Sequence, residues 1–223
     1  MKSDINTGFL PADTKELFDK FSRFPFFRKF VLVGGTALCL QAGHRQSEDL
    51  DFISVTDKLN ISSIKRFFSS NFNNYRIVRI DEDFQIDLVV NGVKVTFFSK
   101  SATGVDFDVT TGTTSINKIN VGSIATIAIL KINAISHRNT MRDYYDLYYI
   151  AKRFIKLPEI IEISKKNLPN LSPVVYSETL LFVKDIPENC ISSHLSPVES
   201  VTKSEIAEYF LRELKNSRHK NGI

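Results

Sequence analysis

Tryptophan is absent from this 223-residue chain, cysteine and methionine occur twice each, and no apolar run is long enough to cross a bilayer. Each scarcity closes something off. Cys39 and Cys190 lie far apart with no Cys-x-x-Cys spacing, which argues against a zinc or disulfide framework and suits a reducing cytoplasm. A membrane helix needs about 18 consecutive apolar residues, and the longest candidate stretch is interrupted by Lys131. The opening Met1-Lys2-Ser3-Asp4-Ile5-Asn6 has no apolar signal core, so a soluble, cytoplasmic protein with no membrane partner is expected. Internal repeats and low-complexity linkers are also missing, which leaves one domain of ordinary size or a catalytic domain with a smaller companion.

Phenylalanine is plentiful at 18 residues, so the core is expected to be Phe-rich. With 43% hydrophobic and 24% charged residues the composition is that of a globular protein, which excludes a disordered chain. The formal net charge of +4 is compatible with phosphate or RNA ligands without requiring them. The dense basic run is Arg212, Lys215, Arg218 and Lys220 near the end, and a solvated tail accounts for it equally well.

Asp13 with Glu16 has capping-box spacing, ahead of a helix that buries Leu17, Phe18 and Phe21 and stops before Pro25. Phe30 to Val33 reads as a buried strand ended by Gly34-Gly35, and Thr36 to Gln41 as a helix closed by Gly43. Asp49 to Val55 is expected to be a strand, Leu59 to Phe68 a helix, and Tyr75 to Ile80 a strand. Gln85 to Val90 and Val93 to Phe98 flank Asn91-Gly92, the dipeptide favoured in a type I′ hairpin turn. A buried helix over Ser123 to Ile135 is followed by a break at Arg138-Asn139. A second helix, Met141 to about Phe154, follows a Thr140/Asp143 capping pattern. Signals weaken after Pro158 until Thr202 with Glu205 opens a final amphipathic helix.

The chemistry concentrates in Gly34-Gly35-Thr36 and Asp49-Leu50-Asp51. On a strand, Asp49 and Asp51 share one face, with Cα atoms roughly 6.6 Å apart. Such a pair is costly unless a cation neutralises it, and it can converge on one Mg²⁺ or on two ions about 3.5–4 Å apart. The glycines let backbone approach a phosphate, and the helix beginning at Thr36 points free amides toward it. Thr36 either adds a hydroxyl donor or only caps the helix. Arg45 either meets a triphosphate or positions the acidic strand. A lone Asp-x-Asp or Gly-Gly is common, and it is their joint order that carries weight.

The stretch from Phe30 to Phe52, Phe-Val-Leu-Val-Gly-Gly-Thr-Ala-Leu-Cys-Leu-Gln-Ala-Gly-His-Arg-Gln-Ser-Glu-Asp-Leu-Asp-Phe, resembles the first motif of the AbiEii/AbiGii toxin family of nucleotidyltransferases. Lys131 to Tyr149, Lys-Ile-Asn-Ala-Ile-Ser-His-Arg-Asn-Thr-Met-Arg-Asp-Tyr-Tyr-Asp-Leu-Tyr-Tyr, resembles its second. The resemblance covers roughly the first two-thirds of the chain and implies an α+β fold. Residues 1–120 would form a polymerase-β-like nucleotidyltransferase core, a mixed sheet flanked by helices. Residues 121–223 would form a mainly helical lobe completing the cleft. It further implies NTP as substrate with Mg²⁺ or Mn²⁺ on Asp49 and Asp51, and a toxin of a toxin–antitoxin or abortive-infection system. The expected partners are tRNA or another RNA acceptor, or a protein acceptor, and a cognate antitoxin. Gly34, Gly35, Thr36 and Arg45 would seat the triphosphate.

In the second motif, Lys131 lies in an otherwise apolar helix, so it either snorkels out or meets an anion, and a phosphate is the favoured one. Arg138 and Arg142 flank the helix break, where they can turn toward a cleft. Asp143 competes as the cap partner of Thr140. Asp146 either orients an arginine, moves a proton, or pairs with Arg142 at four-residue spacing. Tyr144, Tyr145, Tyr148 and Tyr149 read as core and rim. One departure stands out: the family's third carboxylate is expected where this chain has Thr96. Counting outward from Asn91-Gly92 sets Asp87 opposite Thr96, so Asp87 becomes the candidate replacement. The competing reading is an NTP-binding pseudoenzyme or a partner-binding module.

Overall fold

The computed structural model describes residues 6–187 and 196–220, and it divides the chain into two compact units, 1–123 and 124–223. Cys190 and the side chains of Arg218 and Lys220 lie outside what is described. Among the described residues no helix is long and apolar enough to cross a membrane.

The first unit opens with α1 (Ala12–Phe21), which turns Leu17, Phe18 and Phe21 inward. The Asp13/Glu16 capping box does not form: Pro11 occupies the cap position, and a helix that starts one residue before Asp13 leaves that spacing out of register. A 3-10 turn, Pro25–Lys29, leads into β1 (Phe30–Val33) and α2 (Gly34–Ala42), which Gly43 closes at φ 56°. Next come β2 (Leu50–Ser54), α3 (Ile61–Asn71) and β3 (Tyr75–Asp81). The hairpin β4 (Gln85–Val90) and β5 (Val93–Phe98) follows, with β6 (Thr114–Ile116) and β7 (Ile119–Val121) after it. Asn91 and Gly92 take φ values of 49° and 86°, the two positive dihedrals that a type I′ turn demands.

The seven strands form one mixed sheet in the order β3-β4-β5-β2-β1-β7-β6. β2 runs antiparallel to β1 but parallel to β5, and β1 runs parallel to β7. Leu50 and Phe52 of β2 share a face with their neighbours Val95 and Phe97 of β5, and all four are buried. Here phenylalanine does the work tryptophan often does. Phe52 and Phe97 stack at 5.3 Å, Phe21 and Phe27 at 4.3 Å, and Phe68 of α3 joins edge-on to Phe21. Each buried ring contributes about 1.5–3 kcal/mol. Alternation then turns Asp51 and Thr96 to the opposite face.

The second unit is helical: α4 (Ile124–His137), α5 (Met141–Arg153), α6 (Leu157–Asn167), α7 (Pro173–Thr179) and α8 (Lys203–Lys220). Pro158 lies in the first turn of α6, where a missing N–H costs nothing, so the proline begins a helix in the stretch where the sequence shows little. Tyr144, Leu147, Tyr176 and Phe210 are buried in its core, and the Tyr144 hydroxyl donates to the Thr179 carbonyl at 2.8 Å. At α8 the capping box is complete: the Thr202 amide donates to Glu205 at 2.7 Å and the Glu205 amide to Thr202 at 3.2 Å. At α5 it is not. Thr140 makes no side-chain cap bond: the Asp143 amide donates to the Thr140 carbonyl at 2.9 Å, and the Asp143 carboxylate is drawn to Lys131 and Arg138.

Candidate active site

β1 ends at Val33, and the chain turns straight into α2 through Gly34, whose φ of +72° is disfavoured for any residue with a Cβ. Space excludes a Cβ as well, since one built on Gly34 would stand 2.9 Å from Asp51 Oδ2. The glycine turn and the second aspartate are therefore in contact, which sequence spacing alone does not show. Gly35 faces the other way: a Cβ there would run into the Arg45 guanidinium and stand 2.9 Å from Ser47 Oγ.

Thr36 is buried, and its hydroxyl is turned inward, donating to the Asp49 main-chain carbonyl and lying 2.9 Å from Ser47 Oγ. It staples the first turn of α2 to the residue that opens the acidic strand, so its contribution to the site is positional. Arg45 is only 3% exposed, and its Nη1 donates to the Gln46 carbonyl at 2.7 Å. Of its two sequence-level readings, this burial favours bracing the acidic segment over meeting a ligand. Ser47 went unnoticed in the sequence; its one signal is its place inside the loop that joins Arg45 to Asp49.

β2 starts at Leu50, so Asp49 stands just before the strand and Asp51 on it, both half-buried. Across the sheet Asp51 lies beside Val33 on one side and Thr96 on the other, and Thr96 in turn pairs with Asp87. The hairpin register is the one counted from Asn91-Gly92. Thr96 is 2% exposed and Asp87 8%, and Gln85 Nε2 holds Asp87 Oδ1 at 2.9 Å. With β5 between them, Asp51 and Asp87 are two strand spacings apart, roughly 9.5 Å. Among the described residues no cluster of three or more His, Cys, Asp or Glu side chains is arranged to hold a metal. Mg²⁺ does not require one, for it commonly uses one or two carboxylates and completes its octahedron with water and substrate phosphates. Asp49 and Asp51 suit that form of binding, whereas Asp87 stands outside the pair.

The second motif lies in the helical unit. Lys131 of α4 is 6% exposed and meets two carboxylates of α5, Asp143 at 2.7 Å and Asp146 at 2.5 Å. The sequence favours a phosphate as the anion for Lys131; in the structure these aspartates take that place. Arg138 Nε adds a bond to Asp143 Oδ2 at 2.8 Å. Burial pushes the Asp143 carboxyl up, but the ammonium of Lys131 and the guanidinium of Arg138 outweigh it and hold the group below the ordinary carboxylate range. Asp146 is fully buried and pairs with Lys131. Arg142 itself is half-buried.

Comparison with known proteins agrees with the fold and with both motifs. Residues 16–169 match the family model described as nucleotidyl transferase AbiEii toxin, type IV TA system. An uncharacterized protein of Aquifex aeolicus (strain VF5) is 26% identical over 207 residues, covering 90% of this chain and 97% of the relative. Among solved structures, MenT4, a nucleotidyltransferase toxin of Mycobacterium tuberculosis H37Rv, superposes with a TM-score of 0.56 at 14% identity, over 94% of this chain and 88% of that one. JHP933 of Helicobacter pylori gives 0.53 at 19% identity, over 95% and 96%. At these identities the two structures speak for the shared fold alone. The family match covers more than half of the chain and includes the Gly-Gly turn, the paired aspartates and the Lys131 helix, so this protein belongs to the AbiEii nucleotidyltransferase toxin family.

Proposed function

We propose that the protein transfers a nucleoside monophosphate from an NTP to a hydroxyl on RNA, with tRNA the first candidate acceptor, as the toxin of a toxin–antitoxin pair in the cytoplasm. The observation that carries this reading is the contact between Gly34 and Asp51, which sets a bare backbone turn at a helix N-terminus directly against one carboxylate of the Asp49/Asp51 pair. That is the combination a triphosphate with its divalent cation requires.

In this reading the amides of Gly34 and Gly35 approach the phosphates, and Thr36, Arg45 and Ser47 keep the turn and the acidic strand in register. Asp49 and Asp51 would hold Mg²⁺, which would supply positive charge to offset that of the phosphates. The acceptor oxygen attacks the α-phosphorus, a new phosphoester bond forms, the α–β phosphoanhydride bond breaks and pyrophosphate leaves. Asp87, oriented by Gln85, takes the proton of the attacking hydroxyl. Lys131, Arg138, Arg142 and Asp146 are assigned to nucleotide binding on the family resemblance. Their own geometry supports a steadying role for Lys131 and Asp146, which pair with each other, while Arg138 is held by Asp143.

The test is incubation with each α-labelled NTP, Mg²⁺ and total tRNA, beside Asp49→Ala/Asp51→Ala and Asp87→Ala variants. Label on RNA with wild type, none with the double variant, and a reduced rate at unchanged NTP affinity with Asp87→Ala are the expected results. Full activity of Asp87→Ala would remove it from proton transfer. NTP binding without transfer to RNA or protein favours a nucleotide-sensing pseudoenzyme, a second reading for which Thr96, where a carboxylate is expected, is the specific observation.

A further inference from the structure

We propose that the end of the first unit's sheet opposite the Gly34 turn is an RNA-anchoring surface, which binds the phosphate backbone and stacks bases without reading sequence. The inference rests on the reading that the acceptor is RNA. Three segments distant in sequence meet there. The main-chain N–H of Lys118, in the β6–β7 turn, donates to the Ser22 carbonyl at the end of α1 at 3.0 Å. Asn120 Nδ2 of β7 donates to the Arg28 carbonyl at 3.0 Å, and Lys29 Nζ reaches Ser63 Oγ of α3 at 3.3 Å. Phe26 stacks on Phe67 of α3 with ring centroids 4.0 Å apart and planes 6° from parallel.

These contacts gather Lys20, Arg23, Arg28, Lys29 and Lys118, four of them exposed and Lys118 half-exposed. None forms an ion pair within 4 Å of a carboxylate among the described residues, and segments 20–30, 61–72 and 112–123 contain no Asp or Glu at all. On the same chain, by contrast, Lys131, Arg79, Lys152 and Arg153 each sit against a carboxylate. Aromatic rings lie among the cations: Lys29 stands over Phe26 at 4.2 Å and Lys20 over Phe72 at 4.3 Å, and Phe24, Phe26 and Phe67 remain half-exposed. Partial burial against these rings lowers the Lys29 pKa, with no acid to offset it. Unneutralised cations interleaved with partly open rings are what a flexible polyanion with π-faces recruits.

Location supports an anchor rather than a catalytic element. Phe30 and Val33 bracket β1, so the patch and the Gly34 turn lie at opposite ends of one short strand, about 10 Å apart along it. A few nucleotides of extended chain span such a distance, which lets one RNA hold both.

The experiment measures binding of the full-length protein to a fluorescent single-stranded RNA across a salt series. The triple variant Arg23→Gln/Arg28→Gln/Lys118→Gln is compared with wild type and with a control altered at Arg76, Arg79 and Lys94. The triple variant is expected to weaken binding roughly tenfold or more and to take about 2 off the slope of log K against log salt, at about 0.7 per phosphate contact. The control should stay at the wild-type value, and the thermal shift with NTP and Mg²⁺ should be unchanged in all three. Should the triple variant fail to fold, Arg23→Gln and Lys118→Gln alone each carry an expected loss of about 0.7 in slope. Equal slopes for triple variant and wild type overturn the proposal, as does lost binding to anionic phospholipid vesicles with RNA binding intact. RNA binding that depends on the patch, but without nucleotide transfer, overturns the proposed reaction and leaves the anchor standing.

Discussion

Gly34 carries two constraints at once, and each can be weighed. A left-handed backbone costs an L-residue about 1–2 kcal/mol, and a methyl group 2.9 Å from Asp51 Oδ2 must displace that carboxylate. Gly34→Ala should therefore lower the thermal midpoint by a few degrees and abolish transfer, with the loss in activity far exceeding the loss in stability. A variant that folds and transfers label at the wild-type rate would show that the Gly34–Asp51 contact is incidental. At this scale the sequence was legible where chemistry and spacing coincide, as in the two glycines and the two aspartates. It was not legible at Thr36, whose hydroxyl suits a phosphate as well as a carbonyl. Only the loop from Gly43 to Asp49, folding back beneath α2, brings Ser47 and the Asp49 carbonyl to it.

Between elements, α4 and α5 are joined by a buried charge cluster, and its energetics predict a pH response. The folded pKa of Asp143 lies below its unfolded value, so its stabilisation is fully present above the ordinary aspartate pKa of about 3.9. It is lost as pH falls through the lower folded value. Wild type should thus lose stability below about pH 4, whereas Asp143→Asn should start lower at pH 7 and vary less over that range; denaturant titrations at several pH values measure both. Lys131→Met removes the ammonium shared by the buried carboxylates of Asp143 and Asp146, leaving Asp143 with Arg138, and should cost about 3–5 kcal/mol. A cost under about 1 kcal/mol would mean the cluster is dispensable to the helix pair. The same scale shows why two of three capping patterns failed. Thr202 and Glu205 stand on an exposed helix start and are left to bond each other, while Asp143 has a buried ammonium to satisfy and Asp13 precedes no cap-forming turn. β6 and β7 escaped notice because three-residue strands show too little alternation to read.

For the whole molecule the decisive quantity is linkage between ligand and stability. NTP with Mg²⁺ at about 100 times its dissociation constant should stabilise the native state by about 2.7 kcal/mol, read as a thermal shift. The Asp49→Ala/Asp51→Ala variant should show none of it. A shift of equal size in the variant would place the nucleotide elsewhere on the protein. The basic surface is likewise a property of the whole first unit. By sequence the dense basic run is at the C-terminus, whereas the fold gathers Lys20, Arg23, Arg28, Lys29 and Lys118 from segments that each look ordinary.

The sequence by itself determined what short-range physics controls. The Asn91-Gly92 dihedrals set the β4–β5 register, and with it the pairing of Asp87 with Thr96; alternation set Asp51 and Phe52 on opposite faces; the Phe-rich composition set the core. Tertiary structure decided the partners of groups able to accept more than one. Parallel pairing of β2 with β5 put Thr96 between Asp51 and Asp87, and α5 supplied the anions for Lys131. The physical reason is that a backbone dihedral or an alternating face belongs to neighbours along the chain. A charge or a hydroxyl is satisfied by whichever group the long-range fold delivers, and nothing local to Lys131 distinguishes a carboxylate from a phosphate.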